Sequence, residues 1–86
     1  MATYKIEISA TAERQIRKLE REDQKRVVRA IQTLASDPRP RGARKLNGYD
    51  DLFRIRVGVY RVIYSVDDER IVAIILKVGH RGDVYR

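Results

Sequence analysis

Apolar residues recur along this chain in two rhythms. Tyr4-Lys5-Ile6-Glu7-Ile8-Ser9 alternates with period two and predicts a short strand with one apolar face, at or near a sheet edge. A helical rhythm follows. Ala12, Ile16 and Leu19 fall at i, i+4 and i+7 while Arg14, Arg17, Lys18 and Arg21 point elsewhere, and Ser9 or Thr11 can cap the start. A second helix is predicted from about Glu22 to Ser36, with Val27, Val28, Ile31, Leu34 and Ala35 as its stripe. Asp37-Pro38 stops it, because proline disfavours helical geometry in the residue before it. The two helices should form an antiparallel hairpin.

Pro40, Gly42, Asn47 and Gly48 make Arg39 to Asp51 a loop, with Leu46 as an apolar anchor. Three strand-like runs then appear, Leu52 to Val57, Val59 to Val66 and Arg70 to Gly79, separated by Gly58 and by Asp67-Asp68-Glu69. They predict an antiparallel meander. The last run is apolar on both faces from Ile71 to Leu76, so it should be central or covered on both sides. The order is β-α-α-β-β-β, an α+β domain with a helix hairpin packed on a small, mainly antiparallel sheet. Residues 1–86 form one domain, with no repeats or linkers.

A chain of 86 residues buries only roughly 60 to 65% of the surface its unfolded form exposes, which leaves little room for a deep pocket. Charge says more. Nineteen basic residues against twelve acidic give a net charge of +7, which favours an anionic partner, nucleic acid ahead of membrane. Between Arg39 and Arg61, seven basic residues (Arg39, Arg41, Arg44, Lys45, Arg54, Arg56, Arg61) meet only Asp50 and Asp51, a local excess of +5. The absence of cysteine removes disulfides and thiolate zinc sites and fits a reducing cytoplasm. No structural metal and no cofactor is expected. No segment resembles a signal peptide or a spanning helix, so a soluble cytoplasmic protein with no membrane role is expected.

The strand pair around Gly58 carries Arg54, Arg56 and Arg61, an unusual density of one charge for a sheet surface. With Val57 and Gly58 as central turn residues, Arg54 would face Arg61 and Arg56 would face Val59. Phe53, Ile55, Val57, Tyr60, Val62 and Tyr64 would share the other face. Facing like charges destabilise a sheet, and a phosphate between them would offset this, since arginine's planar fork suits phosphate oxygens. The plainer alternative is a solvated face tied to Asp50, Asp51 or Asp83. His80 is the only histidine and the one side chain that titrates near neutrality. Tyr85, near the C-terminus, is either plain surface or a stacking platform for RNA bases.

Lys45-Leu46-Asn47-Gly48, the run from Phe53 to Tyr64, and Val78-Gly79-His80-Arg81-Gly82-Asp83-Val84-Tyr85-Arg86 together resemble the RelE/ParE superfamily of type II toxin-antitoxin toxins, on the RelE side. The resemblance spans the chain, including the Leu-Ala-Ser-Asp-Pro end of the helix hairpin. It implies a toxin held in a hetero-oligomer by a cognate antitoxin. It further implies a ribosome-dependent, metal-independent endoribonuclease, an mRNA interferase that cuts messages in the decoding site. The family's basic pair falls on Arg54 and Arg56, its strand arginine on Arg61, and its tail arginine and tyrosine on Arg81 and Tyr85. His80 matches a variable position. Arg39, Arg41, Arg44, Lys45 and Lys77 are candidate contacts to RNA and ribosome. Two departures stand out: arginine replaces the family's lysines at 54 and 56, and the C-terminal helix of some members is missing.

Metal-free cleavage uses the RNA's own 2′-hydroxyl against the neighbouring phosphorus, so the protein must supply a base, an acid and charge stabilisation. Arginine stays protonated; Arg54, Arg56, Arg61 and Arg81 are therefore clamps for the developing charge. Proton transfer is left to His80, to Tyr85 or to the ribosome. Two rival readings keep the fold: a ParE-like, non-catalytic inhibitor of DNA gyrase, and a plain nucleic-acid-binding module.

Overall fold

The computed structural model describes residues 3–46, 48 and 51–80. In chain order they form β1 (Lys5–Ile8), α1 (Ala10–Arg17), α2 (Arg21–Thr33), β2 (Arg44–Lys45), β3 (Leu52–Val57), β4 (Tyr60–Asp67) and β5 (Val72–His80). The strands make one sheet in the order β1-β5-β4-β3-β2, with β1 parallel to β5 and the other pairs antiparallel. Both helices pack on one face of it.

Ser9 settles the start of α1, its hydroxyl accepting from the Ala12 N–H. The helical stripes deliver Ala12, Ile16, Val27, Ile31 and Leu34 against Phe53, Ile55, Val62, Tyr64, Val66, Ile75 and Val78. Among the described residues no polar or charged side chain is buried. Tyr64 reconciles its hydroxyl with full burial by donating to the Pro38 carbonyl at 2.7 Å. Burial pushes its phenol up to about 12.

Position in the sheet explains the composition of the outer strands. β1 lies at one edge, as its brevity suggests, and the apolar β5 lies between β1 and β4. On the face away from the helices, Val72, Ile74 and Leu76 are only half-buried. Their apolar character serves an interior strand rather than a second covering layer.

Several boundaries differ from the sequence expectation. The second helix ends at Thr33, because the N–H groups of Leu34, Ala35 and Ser36 bond three residues back and tighten the last turn before Pro38. The loop after the helices contains β2, two residues paired to β3. The third meander strand starts at Val72, since Ile71 adopts φ +56 and closes the preceding turn. Most consequential is the hairpin. Gly58, at φ +62, and Val59 are the central turn residues, so Val57 faces Tyr60, Arg56 faces Arg61 and Arg54 faces Ile63. Glycine at the first central position is what a type II′ turn requires. The expected Arg54–Arg61 and Arg56–Val59 pairs are therefore shifted by one register step.

β5 carries a bulge at Leu76: Ile63 pairs with Lys77 while Tyr64 pairs with Ile75. Helix α1 holds it from both sides. The Ser9 hydroxyl donates to the Leu76 carbonyl at 3.0 Å, and the Gln15 side-chain oxygen accepts from the Val78 N–H at 2.7 Å.

Candidate nucleic-acid interface

Side chains alternate across a strand and directly paired residues share a face, so the register sorts the basic residues. Phe53, Ile55, Val57, Tyr60, Val62 and Tyr64 look toward the helices. The opposite, open face carries Arg44 paired with Arg54 and Arg56 paired with Arg61. Lys77 joins them through its pairing with Ile63. Ile63 sits between Arg54 and Lys77 in this ladder and is still only 6% exposed.

Between β2 and β3 the open face is hollowed into a concavity of about 310 Å³ lined by Gly42, Arg44, Arg54 and Arg56. On the other side, the β5 partner of Arg61 is Gly79, which contributes no side chain over the ladder. The Nε atom of Arg61 is buried. Three guanidinium groups thus line one hollow, and a fourth faces Arg56 beside it. Such a surface suits an anion with oxygens in several directions, the property of a phosphodiester.

The remaining basic candidates go elsewhere. Arg39 reaches the Asp68 carboxylate at 2.6 Å and lies over the Phe53 ring at 5.3 Å. Tyr4 donates its hydroxyl to the same carboxylate. Arg39, then Tyr4, hold the Asp68 carboxyl below its ordinary range, and Arg39 accordingly pins the end of the helix hairpin to the β4–β5 turn. Arg41 is exposed in the turn closed by the Ala43 N–H on the Pro40 carbonyl. Lys45 pairs with Phe53 and so takes the helix side of the sheet.

His80 is not brought to the arginines. The bulge at Leu76 reverses the alternation of β5, so His80 pairs with Tyr60 on the helix face while Gly79 pairs with Arg61 on the open face. The imidazole meets the Tyr60 ring edge-on, with centroids 5.9 Å apart. Tyr60 in turn donates to Asp23 of α2 at 3.1 Å, which raises its phenol pKa. Arg81 and Tyr85 lie outside the described residues. Sequence reasoning overlooked Gly42, whose open backbone lines the hollow; its place between Arg41 and Arg44 was the available signal. Among the described residues, no group of three or more histidine or acidic side chains could hold a metal ion, and no helix is long and apolar enough to cross a membrane.

Comparison with known proteins agrees with this architecture. Residues 6–85 match the family model described as ParE toxin of type II toxin-antitoxin system, parDE. Toxin RelG of Mycobacterium tuberculosis is 34% identical over 84 residues, covering 96% of this chain and 97% of its own length. Among solved structures, the toxin in the archaeal RelE-RelB complex from Pyrococcus horikoshii superposes with a TM-score of 0.84 at 34% identity, covering 95% of this chain and 99% of that one. The isolated Escherichia coli RelE toxin gives 0.80 at 26% identity, covering 91% of this chain and 84% of its own. The two helices on a mixed five-stranded sheet, the open arginine face and these likenesses along nearly the whole chain lead to one conclusion: the chain belongs to the RelE/ParE family and is a RelE-type toxin of a type II toxin-antitoxin system.

Proposed function

We propose that this toxin is an endoribonuclease that cuts messenger RNA on the ribosome and acts in the cytoplasm as one domain spanning residues 1–86. The observation that carries the reading is the cross-strand ladder of Arg44 with Arg54 and Arg56 with Arg61 on a face the helices leave open. Two directly opposed like-charge pairs cost stability in the free sheet, and a bound phosphodiester offsets that cost. In the reaction the RNA 2′-hydroxyl attacks its own phosphorus, forming a 2′,3′-cyclic phosphate and releasing a 5′-hydroxyl. Arg54, Arg56 and Arg61, with Arg81 of the tail, hold the phosphate and stabilise the extra negative charge of the phosphorane. The placement of His80 behind the sheet weighs against its service as the base. Proton transfer then falls to Tyr85 or to groups of the ribosome.

The small size of the domain explains the need for the ribosome: with little surface of its own to orient a substrate, the toxin relies on the ribosome to present the message. Control by a cognate antitoxin follows from the likeness to a toxin solved with RelB. An acidic, amphipathic segment laid on this basic domain is the expected form. The ParE description of the matching family favours a second reading, inhibition of DNA gyrase without catalysis. Adding the purified protein to a translation extract and mapping message ends by primer extension tests the proposal. Discrete cuts support ribonuclease action; intact messages alongside arrested gyrase supercoiling support the second reading.

A further inference from the structure

We propose that the hollow formed by Gly42, Arg44 and Arg54 is a second phosphate seat, and that single-stranded RNA lies along β3 with consecutive phosphates on the two arginine pairs. This rests on the reading of the open face as the RNA-gripping surface. Arg44 pairs directly with Arg54, and Arg56 directly with Arg61, so the cations form two adjoining rungs, with Arg56 of the second also lining the hollow. The rungs are offset by the two-residue step from Arg54 to Arg56, about 6.6 Å along β3, and by one strand spacing, about 4.8 Å, across the sheet, so their centres lie roughly 8 Å apart on a diagonal. The long, flexible arginine side chains span the difference between that distance and the phosphate-to-phosphate step of an extended single strand. The hollow is open enough for a phosphate, at about 310 Å³, and its lining combines three guanidinium side chains with a glycine. An ideal Cβ on Gly42 would meet nothing within 4 Å, so the approach to Arg44 is clear at this position.

The second rung has a distinct task. Arg54 stands between the two phosphates and serves both, whereas Arg44 reaches only the one a nucleotide away from the reacting phosphate, so Arg44 fixes register and direction without touching the reacting atoms. Arg44 is thus a positioning residue. Gly42 keeps its hollow clear.

Binding of an uncleavable 2′-O-methyl octaribonucleotide to the free toxin, measured from low to moderate salt, tests this without the ribosome. Each arginine-phosphate contact on a single strand contributes about 0.7 to the slope of log affinity against log salt. Arg44→Gln should lower the slope by about 0.7 and weaken binding roughly tenfold at low salt, while Arg70→Gln, in the β4–β5 turn, should leave the slope unchanged. Gly42→Glu should weaken binding at least as much as Arg44→Gln by setting a carboxylate in the hollow; its ordinary backbone angles allow a side chain. An unchanged slope in Arg44→Gln together with wild-type affinity in Gly42→Glu would overturn the second seat. Equal loss in Arg70→Gln would overturn it too, by reducing the effect to net charge. Because nothing is cleaved, the result stands apart from the endoribonuclease reading: cleavage with an unchanged slope removes only the second seat, and an altered slope without cleavage removes only the catalytic role.

Discussion

Arg56 and Arg61 stand directly opposite each other across the β3–β4 hairpin, two cations on one face of a two-strand ladder. Opposed like charges cost a sheet pair up to about 1 kcal/mol, and Arg56 is exposed. Arg56→Gln should therefore melt at or slightly above the wild-type temperature while losing at least tenfold in message cleavage. Thermal denaturation beside a cleavage assay separates the two effects. A clear drop in melting temperature would make Arg56 a structural residue.

The reversal of β5 sets a second expectation. With its ring against Tyr60 on the helix face, His80 is out of line with the arginine ladder. His80→Gln should retain activity within about tenfold, since loss of a true general base costs roughly 10² to 10⁴. Tyr85→Ala should be inactive, and Tyr85→Phe distinguishes ring stacking, which it preserves, from proton transfer, which it abolishes. A hundredfold loss in His80→Gln with a flattened acid limb of the pH profile would return the base to His80.

Gln15 reaches from α1 to take the Val78 N–H at the bulge. Removing that acceptor in Gln15→Leu leaves a partly buried donor unsatisfied, a cost of about 1 to 3 kcal/mol. Urea denaturation should show a lower midpoint at unchanged slope. An unchanged midpoint would mean that water replaces the side chain and that the bulge does not depend on it.

Alkali should unfold the protein through Tyr64. Its phenol has an ordinary value of 10.0 and is raised to about 12 in the fold, chiefly by burial. A group whose pKa is raised on folding contributes stability that is fully present below the unfolded value and lost as pH climbs through the folded one, here from pH 10 to about 12. Tyr64→Phe should lose about 1 kcal/mol at neutral pH with the Pro38 hydrogen bond, and should show a shallower decline over that alkaline window. Equal declines in both proteins would place the alkaline transition elsewhere.

Much of the architecture was legible because it rests on periodicity: the Ala12, Ile16 and Val27, Ile31 stripes and the alternation of Phe53, Ile55, Val62 and Tyr64 define a core whatever the turn does. The hairpin register was not legible for the same reason. Moving the turn by one residue keeps Arg54, Arg56 and Arg61 together on one face and changes only which of them meet. A strand of two residues, Arg44–Lys45, has no period to detect, yet it brings Arg44 into the hollow. The bulge at Leu76 lies within an unbroken apolar run, and the side taken by His80 depends on it. Ile71 misleads in the opposite way: a β-branched residue reads as strand, and here it occupies a positive-φ turn position whose carbonyl accepts from the Lys5 N–H.

The proposed reaction acts on messages that ribosomes are reading. The most direct measurement uses one message carrying a premature stop codon, translated in vitro with the purified toxin and mapped along its length by primer extension. Cuts ending in 5′-hydroxyls are expected upstream of the stop, with none downstream and none when Arg56 and Arg61 are both replaced by glutamine. Equal cutting on both sides of the stop, or intact messages throughout while gyrase is arrested, would contradict the proposed reaction.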